Sequence, residues 1–160
     1  MKRIINPYLG MSEEEGYNCF ACAPHNAHGL KMEFYEDGDD VVCYWKPETH
    51  FQGWTDTLHG GIQATLIDET AGWVIARKLQ TTGMTTNLNV KYKRPIPTTP
   101  GTEIEIRAHI HTMKRNFALM EATITCNGEL CTTAELTFYC FPQDKAKEEF
   151  HFLPYEVEEV

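Results

Sequence analysis

Residues 58–77 run Leu58-His59-Gly60-Gly61-Ile62-Gln63-Ala64-Thr65-Leu66-Ile67-Asp68-Glu69-Thr70-Ala71-Gly72-Trp73-Val74-Ile75-Ala76-Arg77 and read as one long helix. Apolar residues recur at Ile62, Leu66 and Trp73, and again at Ile67, Ala71, Val74 and Ile75. Those two sets cover more than one face, and such a helix needs to be enclosed rather than laid on a surface. Asp68 and Glu69 interrupt the apolar body, and a buried carboxylate without a partner is costly. His59-Gly60-Gly61 upstream is a poor helix interior but a good entrance, because the two glycines leave first-turn amides uncovered.

The spacing of these groups has a geometric consequence. The rise from Gly60 to Asp68 is roughly 12 Å, whereas a reacting carbonyl must lie about 3 Å from both its oxyanion donors and its attacking group. One helix cannot present both to the same atom. If the glycine amides and the carboxylate act together, a second copy of the helix must supply one of them, which predicts a homodimer with a shared site.

Outward from the helix, the 160 residues predict one domain. A formal charge of −9 disfavours a nucleic-acid partner. No run approaches the roughly 20 apolar residues that span a bilayer, so no membrane partner is expected. The Met1-Lys2-Arg3 start lacks a following apolar run, so no signal peptide is expected. Six cysteines without regular spacing suit a reducing, cytoplasmic location better than a disulfide framework.

Residues 1–16 read as a polar arm, with Ser12-Glu13-Glu14-Glu15 opening one helical turn. Leu30–Glu36 and Val41–Lys46 read as a hairpin around Asp37-Gly38-Asp39-Asp40. Past the helix, four strands are predicted: Met84–Arg94, Thr102–Thr112, Phe117–Cys126 and Glu129–Phe141. Asn127-Gly128 between the last two is a strong hairpin signal. The expected class is therefore α+β, one long central helix wrapped by a curved antiparallel sheet of five or six strands. The domain is expected to span residues 17–141, followed by an acidic tail over 142–160 rich in Lys and Glu with embedded aromatics. The sequence leaves open whether that tail packs on the sheet edge or on a neighbouring subunit.

His59-Gly60-Gly61, Asp68-Glu69 and the stretch Thr85-Thr86-Asn87-Leu88-Asn89-Val90-Lys91-Tyr92-Lys93-Arg94-Pro95-Ile96-Pro97 together resemble the PaaI-type hotdog-fold acyl-CoA thioesterases. Cys19-Phe20-Ala21-Cys22, Asn26 and Gly29-Leu30 add to the likeness, which runs from Tyr17 to Phe141. The resemblance implies the hotdog architecture and hydrolysis of a small-molecule acyl-CoA thioester by a homodimer or a dimer of dimers. It implies no metal, and no cofactor beyond the coenzyme A of the substrate.

Thioester hydrolysis needs oxyanion stabilisation and a carboxylate that activates water or attacks directly. Amides at a helix start suit the first task, which falls to Gly60 or Gly61, with the resemblance favouring Gly60. Asp68 is the candidate base or nucleophile, and enclosure among Leu66, Ile67 and Ala71 would raise its proton affinity. Thr85 matches the position whose hydroxyl lies near the attacking water in the resembling family, though a Thr-rich strand needs no such role. His59 is either an orienting donor or a helix cap. Glu69, about 100° round the helix, is a supporting contact and the fallback acid.

Gln52 falls near the pre-helix position where some relatives carry Asn. Trp54 and Phe51 in the same loop either pack or line an acyl pocket. Lys93 and Arg94, with Lys91, Lys114 and Arg115, are candidates for coenzyme A phosphates or simply a solvated face. The Cys-x-x-Cys pair with His25 and His28 invites a zinc reading. Structural zinc sites, however, usually separate two ligand pairs by a dozen or more residues, and the segment is read as a packed turn. The alternatives are a hotdog dehydratase or hydratase, for which the Pro-rich loop after His50-Phe51 is missing, and a non-catalytic acyl-CoA-binding protein.

Overall fold

The structure is a computed structural model that describes all 160 residues. Eight strands and two α-helices follow one another along the chain. They are β1 (Lys2–Ile4), β2 (Tyr35–Asp37), β3 (Asp40–Trp45), α1 (Gly60–Val74), β4 (Gly83–Tyr92), β5 (Ile104–Lys114), β6 (Phe117–Cys126), β7 (Glu129–Cys140), α2 (Gln143–Phe150) and β8 (Val157–Glu159). They form one antiparallel sheet in the order β4-β7-β6-β5-β3-β2-β1-β8. α1 packs on β3, β4, β5, β6 and β7, so the sheet wraps the helix as the two-faced apolar pattern requires. Leu66, Ile67, Ala71 and Val74 are fully enclosed against Ile104, Ile106 and Ile124, each large side chain contributing roughly 1.5–3 kcal/mol. Trp73 stacks on Phe34 with ring centroids 4.3 Å apart. No helix is long and apolar enough to cross a membrane.

The helix starts as its sequence predicts, with His59 at the N-cap. Its far end differs. After Val74 the backbone widens into a π-helical turn over Ile75–Leu79, tied down by Arg77 and Lys78, which both bond the Glu36 carboxylate at 2.9 and 2.7 Å.

The sheet has eight strands where five or six were expected, because both chain ends join it. Lys2–Ile4 of the arm pairs with β2 on one side and with β8 of the tail on the other. Lys2 meets Glu159 at 3.4 Å, and Arg3 bonds Glu158. The first hairpin is shorter than predicted. Leu30–Phe34 alternates inward at Leu30, Met32 and Phe34 but lies outside the strand. The Leu30 and Met32 amides bond the carbonyls of Phe20 and Ala21 at 2.8 and 2.9 Å, and the Leu30 carbonyl accepts from the Trp45 indole. The two amides thus serve the cysteine loop instead of the sheet. Ser12 and Glu15 bond each other reciprocally in a single turn, the pattern of a capping box.

Candidate active site

Two groups of functional side chains hang from α1, one at its entrance and one a little beyond its middle. At the entrance the His59 ring Nδ1 accepts the Gly61 amide at 2.9 Å. His59 is therefore a cap, and the Gly61 amide is taken. The Gly60 amide has no acceptor within the chain, which leaves it a free first-turn donor at the positive end of the helix. The Tyr92 hydroxyl donates to the Gly60 carbonyl at 2.6 Å, fixing the peptide from the β4 side. Gly60, Tyr92, Lys93 and Arg94 line one shallow depression of about 310 Å³. The strand ends at Tyr92, and the Lys93 and Arg94 amides both turn to the Cys131 carbonyl at 2.8 and 3.0 Å. That turn carries the two cations toward the helix entrance. Lys91 instead borders a polar depression with Arg107, His109 and Glu121.

Beyond the helix middle, Asp68 meets Thr85 of β4. The Thr85 hydroxyl donates to Asp68 Oδ1 at 2.6 Å. Both residues are half-buried, and both face a cavity of about 810 Å³. Gly83 makes this approach possible, because a Cβ there would lie 2.0 Å from the Tyr139 carbonyl oxygen. Only glycine lets the start of β4 come so close to β7. A β-bulge between Thr85 and Asn87 follows at once, and bulges re-aim side chains beside functional sites.

Burial pushes Glu69 up to about 7, and the Cys19 sulfur adds to the rise. Glu69 Oε2 accepts the Trp73 indole N–H at 3.0 Å and the Cys19 thiol at 3.6 Å. The role of Glu69 as a supporting contact thus takes a specific form that the sequence did not reveal: its partner lies 50 residues away. The cavity walls also include Phe150, Phe152 and Tyr155 from the tail and Tyr8 from the arm. Nothing in the sequence pattern distinguished these aromatics from ordinary packing.

Two loop residues stand apart from both groups. Trp54 is 83% exposed, so within the protomer it is not a core residue. Phe51 is, packing on Trp45 with centroids 5.4 Å apart. Gln52 is exposed and bridges to Leu58. The Gly60 depression and the Asp68 cavity share no lining residue, so the chain carries the two groups in separate recesses.

Residues 55–133, which hold both groups, match the thioesterase superfamily model. The rat protein acyl-coenzyme A thioesterase THEM4 is 32% identical over 123 residues, covering 73% of this chain and 52% of the relative. The chain thus spans about half the length of that relative. Among solved structures, zebra fish thioesterase superfamily member 2 superposes with a TM-score of 0.63 at 27% identity, covering 69% of this chain and 82% of the other. A hypothetical thioesterase protein from Streptococcus pneumoniae, solved with coenzyme A, shares the fold with a TM-score of 0.64 at 22% identity, over 70% of this chain and 90% of the other. A wrapped helix, an aspartate held by a strand threonine and a family match over the segment that carries them agree: residues 55–133 belong to the thioesterase superfamily.

Proposed function

We propose that the protein is an acyl-CoA thioesterase of the PaaI type that works as a homodimer, or a dimer of dimers, in a reducing cytoplasm. The observation that carries this reading is the separation of the Gly60 amide and the Asp68–Thr85 pair into two recesses of one protomer. A second copy, related by a two-fold axis, brings the Gly60 of one protomer to the Asp68 of the other. The β4 edge favours such pairing. It is ten residues long, none of them buried in the protomer, and it ends the sheet without a neighbour. Long open edges are surfaces that proteins ordinarily cover.

In this assembly Asp68 acts as general base on a water that the Thr85 hydroxyl helps to hold. The water oxygen bonds to the thioester carbonyl carbon, and its proton passes to the Asp68 carboxylate. The oxyanion is met by the partner's Gly60 amide at its helix terminus. Collapse of the tetrahedral intermediate breaks the C–S bond and releases coenzyme A and the carboxylic acid. Lys93 and Arg94, beside Gly60, meet the coenzyme A phosphates. The cavity beyond Asp68 takes the acyl group, with the tail aromatics as its far wall. The match to a curated acyl-coenzyme A thioesterase supports the substrate class.

The test is a panel of acyl-CoA thioesters read by thiol release, on wild type and Asp68→Ala, with sedimentation to give the oligomeric state. Turnover lost in the variant of a dimeric wild type is the expected result. A stable monomer, or undiminished hydrolysis by Asp68→Ala, overturns the mechanism. Hydration of an enoyl thioester, or binding without turnover, replaces it with the dehydratase or the non-catalytic reading.

A further inference from the structure

Cys19, Cys22 and Glu69 take no part in the proposed hydrolysis, yet the fold gathers them to one point. Their donor atoms, two sulfurs and a carboxylate oxygen, all lie within 4.8 Å of one another. The loop that presents the cysteines is tightly specified. The Cys22 amide points to Cys19 Sγ at 3.4 Å, and the Ala21 amide also turns to that sulfur. A Cβ on Gly29 would lie 2.5 Å from the Phe20 carbonyl oxygen, so only glycine closes the loop. The remaining donors around the cluster are the Tyr17 hydroxyl, 3.2 Å from Cys22 Sγ, and the Trp73 indole on Glu69.

No Lys, Arg or His hydrogen-bonds to any of the three, and no salt bridge reaches Glu69. His25, the neighbour that the local sequence offers, is turned away. Its Nε2 meets the Tyr17 carbonyl at 2.7 Å, and its ring lies edge-on to Tyr17. Three groups able to carry negative charge therefore share a partly buried corner without a cation. In the apo protein the thiols keep their protons, Cys19 donating its own to Glu69; a bound metal ion takes the place of those protons and balances the charge they leave.

We propose that Cys19, Cys22 and Glu69 form a binding site for a thiophilic divalent cation, zinc by its preference for mixed sulfur and oxygen donors. Two thiolates and a carboxylate fill three corners of a tetrahedron. The fourth opens on the cavity that all three residues line, where water completes the shell. Amides aimed at the Cys19 sulfur and an indole on the Glu69 carboxylate hold the ligands in place, as outer contacts do in metal sites generally. Binding exchanges the protons of the two thiols, released to solvent, for the metal. The site stands independently of the thioesterase reading, since its readout is the metal itself.

The experiment is a Co²⁺ titration of the full chain, stripped with chelator under reductant, followed by displacement with Zn²⁺. One Co²⁺ per chain is expected, with a thiolate-to-cobalt charge-transfer band that stoichiometric Zn²⁺ abolishes, and Zn²⁺ alone should raise the Tm of wild type. Glu69→Gln keeps the band but weakens binding by at least the roughly 10–100-fold that loss of a supporting contact costs. Cys19→Ser and Cys22→Ser lose the band, and the wild-type Tm shift decides the matter if either fails to fold. Absence of a thiolate band at saturating Co²⁺, an unshifted wild-type Tm, or affinity unchanged in Glu69→Gln overturns the proposal.

Discussion

The entrance of α1 and the Asp68 turn belong to one helix but present opposite kinds of chemistry. At the entrance the functional group is backbone. The Gly60 amide is left without an acceptor, its carbonyl is pinned by Tyr92, and its neighbour Gly61 is already capped by His59. At Asp68 the functional groups are side chains, a carboxylate and a hydroxyl 2.6 Å apart beside a deep cavity. The first region needs glycine and a helix end, and the second needs burial and a strand close enough to reach the helix. Neither can be moved to the other's position, and in the proposed mechanism a second copy of the chain brings them together.

That comparison breaks most sharply at Asp68. Asp68→Asn removes the base without altering shape, and the turnover rate should fall by roughly 10²–10⁴-fold while the Tm holds. At the entrance, Gly60→Pro deletes the amide proton at a first helical position that accommodates proline well, its added Cβ meeting the Tyr92 ring at an ordinary 3.4 Å. His59 before it already has φ −59° and ψ 133°, which suits a residue preceding proline. This variant should lose roughly 10²–10³-fold in kcat, with unchanged helicity by circular dichroism. Mixing the two variants after dissociation sharpens the point. In a heterodimer one of the two sites recovers both intact halves, so random reassociation should restore roughly a quarter of wild-type turnover. No recovery in reassociated dimers would place both groups in one subunit's site.

Smaller effects follow from the supporting contacts. Thr85→Val, nearly isosteric, removes the hydrogen bond to Asp68 and should lower kcat/KM by roughly 10–100-fold. Glu36 is the remote control, holding the π-helical turn away from both groups. Burial opposes its ionisation, but Lys78 and Arg77 outweigh that and hold its carboxyl below the usual 4.5. A depressed carboxylate stabilises the fold above its unfolded pKa, and the contribution is lost as pH falls through the lower folded value. Glu36→Gln should therefore cost on the order of 1 kcal/mol at neutral pH, flatten the acid limb of the stability curve, and leave turnover per folded dimer unchanged.

How much of this was legible varies with the range of the interaction. The helix was readable because His59-Gly60-Gly61 and the two apolar sets are local signals, and the structure keeps them within a few residues of the expected limits. β6 has the predicted bounds because its alternation ends at a clear turn, Asn127-Gly128. β1 was invisible because three residues, Lys2–Ile4, hold no period, and their partner in β8 lies at the far end of the chain. Leu30–Phe34 misled because alternation records which side chains are buried, not where the backbone groups bond. Thr85 was a candidate from family resemblance alone, as a hydroxyl near the attacking water, and neither its bond to Asp68 nor Glu69 beside Cys19 was written in the sequence. Contacts across dozens of residues leave no periodic trace.

Gly83 illustrates how far a site's sensitivity can lie from its chemistry. It has no side chain and offers no reactive group, yet the space for even a methyl group there is already filled by the Tyr139 carbonyl. A single added carbon would lever the first residues of β4 outward and carry the Thr85 hydroxyl away from its acid. The proposed site is thus sensitive to change at a residue that a search for reactive groups would pass over.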